Sequence, residues 1–173
     1  MLDYAQLGDI VNTVGLKGEI KLLPGPDFWT EALDLDQLSL VSVKTGRRPV
    51  RVQKFRKKGG TFVIKLDGLE SIEDAEAAVG QRLEISLKGL EESDYPDRGL
   101  RCRLVGMKVH GTDGSLIGEV TDMVSSSMQD CLIVSGEDRR YIIPFVPEIV
   151  PEIDYREGTI RIDPPEGLLD LVW

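Results

Sequence analysis

Side chains that carry catalysis or bind metal are scarce in this sequence. Histidine occurs once, at His110 beside a predicted turn, where a lone imidazole is ordinarily a surface or packing group. Cysteine occurs twice, at Cys102 and Cys131, far apart and without C-x-x-C spacing. Two such cysteines and one histidine build neither a disulfide framework nor a zinc site, and reduced thiols point to the cytoplasm. No run approaches the roughly 18 apolar residues needed to span a bilayer. The first ten residues carry Asp3 and Asp9 in place of a basic region followed by an apolar run, so no signal peptide is expected. There is no G-x-S-x-G elbow, no G-x-x-x-x-G-K-[ST] loop and no G-x-G-x-x-G after a strand.

Three stretches imitate parts of an active site. Gly15-Leu16-Lys17-Gly18-Glu19 resembles a phosphate loop but leads into a predicted strand, so the helix N-terminus that holds phosphate is missing. Ser125-Ser126-Ser127 offers hydroxyls without a base and reads as a turn. Glu148, Glu152 and Asp154 could pair for acid–base work, yet among 30 acidic residues an accidental pair is expected. The reading is therefore a non-enzyme, with no catalytic residue, no metal and no cofactor.

What is present is an ordinary folded composition. The 173 residues are 41% hydrophobic and 29% charged, enough for one domain or two small ones. A net charge of −9 argues against coating nucleic acid by bulk electrostatics. The charge is uneven, however. Lys44, Arg47, Arg48, Arg51, Lys54, Arg56, Lys57, Lys58 and Lys65 follow one another with no acid before Lys65. Such a segment can touch phosphate, or it can be a solvated strand face whose lysines discourage aggregation; both readings stay open.

Strands are predicted over 8–11, 19–23, 38–43, 50–55, 61–66 and 82–86, with Lys58-Gly59-Gly60 as a hairpin signal. One helix interrupts them. Ser71 serves as N-cap, Asp74 completes a capping-box pattern, alanines fill the middle and Gly80 closes it. A second helical turn is expected within 27–35. From Leu87 to Arg103, Gly, Pro, Asp and Glu crowd a stretch without periodicity, which reads as a linker. Strands resume over 104–110, 116–124, 131–135, 141–144, 149–154 and 159–163. The expected fold class is mainly all-β: two small barrels, with residues 1–88 as the first domain, 89–103 as linker and 104–173 as the second.

Two runs carry more than fold. In Gly8-Asp9-Ile10-Val11-Asn12-Thr13-Val14-Gly15-Leu16-Lys17-Gly18-Glu19-Ile20-Lys21, predicted strands flank a loop whose glycines allow positive φ and a close backbone approach. It reads as a tight barrel turn or as a contact loop with Lys17 and Lys21 beside it. In Tyr141-Ile142-Ile143-Pro144-Phe145-Val146-Pro147, two prolines end the ladder and frame Phe145 and Val146 on a pre-ordered bend. That bend either anchors a protein partner or plugs the barrel end.

In register with others, these runs resemble the RimM family. Gly8 to Glu19 matches its G-x-I-x-x-x-x-G-[LI]-[RK]-G-E opening at Gly8, Gly15, Leu16, Gly18 and Glu19. Ala75, Glu76 and Gly80 match the helix that closes its first domain. Leu104-Val105-Gly106-Met107-Lys108-Val109, Asp113-Gly114, Ile117-Gly118-Glu119-Val120, Asp130-Cys131-Leu132-Ile133-Val134 and Ile142-Ile143-Pro144-Phe145-Val146 are similar to its PRC-barrel.

The resemblance implies an elongation-factor-like six-stranded barrel followed by a PRC-barrel in a maturation factor; the protein is expected to be cytoplasmic and monomeric and to need no membrane. Its implied partners are free or nascent small ribosomal subunits, bound at the head through ribosomal protein nineteen of that subunit (S19) and nearby 16S rRNA. On that pattern Leu104, Gly106, Pro144, Phe145, Val146 and Pro147 are the expected protein contacts. Lys17, Lys21, Arg47, Arg48, Arg56, Lys57 and Lys58 are the expected RNA contacts. Two departures stand out: Val14 occupies the place where the family often has histidine, and the family's tyrosine pair is represented near Leu104 only by Tyr95. The alternative reading is a PRC-barrel module serving another macromolecular assembly.

Overall fold

The computed structural model describes residues 3–96, 99–125 and 128–170. Ser126 and Ser127 of the serine turn, residues 97–98 of the expected linker and the ends of the two expected domains at 1–2 and 171–173 lie outside the described residues. The chain divides into two compact units, Leu2–Pro96 and Asp97–Trp173, each built around a β-sheet.

The first unit contains β1 (Tyr4–Val14), β2 (Glu19–Pro24), β3 (Leu38–Ser42), β4 (Gly46–Pro49), β5 (Val52–Lys58), β6 (Thr61–Leu66) and β7 (Arg82–Ser86). They pair in the order β4-β3-β7-β1-β2-β6-β5. β4 and β5 are two halves of one bent strand. Before the bend it pairs with β3, and after it with β6. At the bend itself Val50 N–H donates to Leu38 O and Asp67 N–H to Arg51 O, which ties the two sheet ends together. Counting the bent strand once, the barrel has six strands.

Alternation decides what the barrel encloses, because successive strand residues face opposite sides. Leu7, Ile20, Leu22, Leu40, Ile64, Leu83 and Ile85 are fully buried. The helix α1 (Ile72–Ala78) starts as its sequence predicts: Asp74 N–H donates to Ser71 Oγ at 3.1 Å and Ser71 N–H to Asp74 Oδ2 at 3.0 Å. Ala75 and Ala78 are its buried residues, and Gly80, at φ 84°, turns the chain back so that its N–H reaches Ile10 O at 2.8 Å. The helical turn expected within 27–35 is a 3-10 turn, Thr30–Asp34.

The second unit contains α2 (Arg101–Leu104), β8 (Lys108–His110), β9 (Leu116–Ser125), β10 (Asp130–Ser135), β11 (Arg140–Pro144), β12 (Glu152–Asp154) and β13 (Thr159–Arg161). The sheet order is β11-β10-β9-β8-β13-β12, antiparallel except where β13 runs parallel to β8. Its core gathers Leu104, Met107, Val109, Val120, Leu132, Val134, Ile143, Ile160 and Ile162.

Four strands are shorter than predicted: those expected over 38–43 and 159–163 end at Ser42 and Arg161, and two others start late. The one expected from Leu104 starts at Lys108, because Leu104 ends α2 and Gly106, at φ 91°, turns the chain. The one expected from Ile149 starts at Glu152. There Val146 O accepts the N–H groups of both Ile149 and Val150, closing a turn behind Pro147. The polar stretch 87–103 also holds short elements, a 3-10 turn at Glu92–Asp94 and the start of α2, with Leu100 fully buried.

Candidate functional site

In the first unit the tip of the β1–β2 hairpin is Gly15–Gly18. Both glycines have positive φ, 65° and 77°. Gly15 has open space around its Cα, whereas a Cβ on Gly18 would sit 2.0 Å from Leu69 O. Gly18 is therefore required by a close backbone approach, and Gly15 by conformation alone. Leu16 is 75% exposed and Lys17 is exposed beside it. Gly8 belongs to the same kind of contact: a Cβ there would meet Leu23 O at 2.3 Å.

The cations separate into groups. By register Lys21, Val63 and Arg56 lie in one row across β2, β6 and β5, and Glu19, Lys65 and Lys54 in the next. Lys58 shares that outer face by alternation, while Lys57 has the opposite parity. Arg56 Nη1 donates to Glu19 Oε1 at 2.8 Å, with Lys54 Nζ 3.8 Å from the same oxygen. The Arg56 hydrogen bond holds the Glu19 carboxyl below the usual carboxylate range, against the opposing effect of burial. Among the described residues Lys17, Lys21, Lys57 and Lys58 take part in no ion pair.

Arg47 lies elsewhere, on the β4–β3–β7 side. It donates to Glu84 Oε2 at 2.8 Å, and its guanidinium stacks 3.4 Å from the centre of the Tyr4 ring. Arg48 pairs by register with the buried Leu40 and is exposed, with Nη1 reaching toward Gly68. The seven cations proposed from sequence therefore do not form one patch; Lys21, Arg56 and Lys58 share a face.

Sequence reasoning missed Lys65. It stands within an otherwise apolar strand and is 8% exposed. Its Nζ donates to Lys17 O at 2.7 Å, to Leu69 O, and to Glu70 Oε2 at 3.1 Å. The available signal was a single lysine inside the otherwise apolar run Phe62–Leu66.

In the second unit the β11 end and the turn after it present Pro144, Phe145 and Val146 half-buried and Pro147 exposed. Phe145 N–H donates to Asp130 O at 2.9 Å, which fixes the bend to β10. The Phe145 ring packs against the core cluster. Gly99 backs this ring and Leu104, since a Cβ there would lie 3.5 Å from Phe145 and 3.3 Å from Leu104. Leu104, expected to contact a partner, is 0% exposed and is a core residue instead; a side chain with no accessible surface supports Phe145 from beneath. Gly106 is exposed, its N–H bound to Val120 O at 2.8 Å. On the outer face of β9–β10–β11, register aligns Val124, Cys131 and Pro144.

His110 Nδ1 lies 3.3 Å from Gly114 O, a turn contact. Among the described residues no group of three His, Cys, Asp or Glu is placed to hold a metal ion, and no helix is long and apolar enough to cross a membrane.

Compared with known proteins, the chain matches the RimM N-terminal domain over residues 5–90 and the RimM PRC barrel domain over residues 102–168. It is 33% identical over 173 residues to the ribosome maturation factor RimM of Clostridioides difficile (strain 630), covering 98% of each chain. It is 34% identical to the protein of the same name from Synechococcus sp. (strain WH7803), again over 98% of each. A crystal structure of a RimM from Pseudomonas aeruginosa, named a 16S ribosomal RNA processing protein, overlays with a TM-score of 0.47 at 24% identity, covering 94% of this chain and 98% of that one. Two domain matches in order, together with relatives of this identity along nearly the whole length, establish that the chain belongs to the RimM family.

Proposed function

We propose that this protein is a non-enzymatic ribosome maturation factor of the cytoplasm that assists assembly of the small subunit and processing of 16S rRNA. The observation that carries the reading is the alignment with ribosome maturation factors over 98% of both chains at 33% identity. In this reading residues 1–88 and 104–173 are two binding domains joined by 89–103, acting as a monomer at the head of a free or nascent subunit. The second domain docks on ribosomal protein nineteen through Phe145, Val146 and Pro147, with Pro144 next to them in the chain and Gly106 as a further contact. Phe145 and Val146, half-buried on a bend held by Asp130 O, suit an anchor that loses little entropy on docking. The first domain touches rRNA phosphates through Lys17 at the hairpin tip and through Lys21, Arg56 and Lys58 on their shared face, with Lys57, Arg47 and Arg48 as further contacts outside that face.

Sedimentation of lysate from cells producing the protein tests this. Co-migration with free small subunits, but not with full ribosomes, is the expected result. Absence from every ribosomal fraction at low salt overturns the reading.

A further inference from the structure

We infer that Lys65 is a positioning residue, whose buried ammonium holds the Gly15–Gly18 hairpin tip in the place where Lys17 meets a phosphate of 16S rRNA. The inference rests on the reading that the first domain touches rRNA.

An ammonium group has three hydrogens to donate. At Lys65 three acceptors surround it: Lys17 O at 2.7 Å, Leu69 O, and Glu70 Oε2 at 3.1 Å. One belongs to the hairpin tip and two to the turn after β6, so a single buried cation fastens two loops far apart in sequence. Gly18 adds an independent contact. Its Cα lies so close to Leu69 that a Cβ would be 2.0 Å from the carbonyl oxygen. The tip is thus held twice against the Leu69–Glu70 turn, while the Lys17 side chain remains exposed. Lys17 is held by its backbone oxygen and left free at its ammonium, the arrangement expected of a cation presented to a ligand. A preset tip avoids the ordering cost of a mobile loop on binding. Lys65 cannot reach phosphate itself, because it is 8% exposed and its donors are occupied.

The experiment measures binding to purified free small subunits over a series of KCl concentrations, with circular dichroism as the folding control. Lys17→Ala removes one phosphate contact, so the slope of log affinity against log salt becomes shallower by about 0.7–0.9. Lys65→Met gives the same change, and adding Lys17→Ala to it gives none further. Gly18→Ala, which removes no charge, also flattens the slope and decides the matter if Lys65→Met fails to fold. A purely structural lysine would lower the melting temperature and leave the slope alone. If Lys17→Ala flattens the slope while the folded Lys65 or Gly18 variant does not, the positioning role is wrong and the rRNA reading stands. If Lys17→Ala itself changes nothing, the hairpin tip does not touch rRNA and the inference falls with that premise.

Discussion

Truncation of Phe145 to alanine separates a core role from a partner role, because this side chain is placed to have both. Complete removal of a buried phenylalanine side chain costs about 3–5 kcal/mol. The Phe145 ring is mostly but not fully buried, packed against the core cluster and backed by Gly99. The expected loss of stability is therefore about 2–3 kcal/mol, at or below the lower end of the fully buried range. With a urea dependence of about 1–3 kcal/mol per molar, the unfolding midpoint of the second unit falls by roughly 1 M. Hydrogen exchange localises the effect: amides of β9–β11 lose protection and those of β1 and β7 keep theirs. If the exposed part of the ring also fills a pocket on the ribosomal protein, its loss weakens subunit binding by a further ~2 kcal/mol, about thirtyfold. Unchanged stability, within about 0.5 kcal/mol, would refute the packing argument. Wild-type affinity in a variant that is folded but less stable would refute the anchor.

Three other outcomes follow from the contacts. Ser71→Ala removes the hydroxyl that accepts from Asp74 N–H and should cost about 1 kcal/mol in urea unfolding; a cost near zero would mean that the capping box does not stabilise α1. Glu19, Asp74, Asp113 and Asp122 are held below ordinary carboxylate values, chiefly by hydrogen bonds from Arg56, Ser71, Ser115 and Arg101 respectively. The unfolded chain therefore binds protons at higher pH than the folded one. The stability they contribute is present above pH of about 4 and is lost as pH falls through the folded values; a urea midpoint that stays constant from neutrality to pH of about 3 contradicts this. Joint replacement of Arg56, Lys57 and Lys58 by alanine should flatten the salt dependence of subunit binding by up to about 2 in slope, with Arg56 contributing least because Glu19 already holds it. An unchanged slope in the folded triple variant removes these residues from the contact.

Much of the architecture is written locally. The capping box at Ser71, the glycine exit at Gly80 and the alternation in β1, β2 and β10 depend on neighbours a few residues away, so sequence alone determined these elements and the mainly β class. The family was legible for the same reason, since its motifs are spaced glycines and apolar runs that any reader of the chain can count. Which side chains share a surface is a different matter. The bend at Val50 that closes the barrel, the row of Lys21 and Arg56 across β6, and the pairing of Arg47 with Glu84 all depend on strands far apart in sequence. Lys65 looked like one more cation in a basic segment, and Leu104 like a contact residue. Only the tertiary structure buried both, because burial is set by what the rest of the chain lays over a residue, and a sequence fixes its own periodicity but not its neighbours in space.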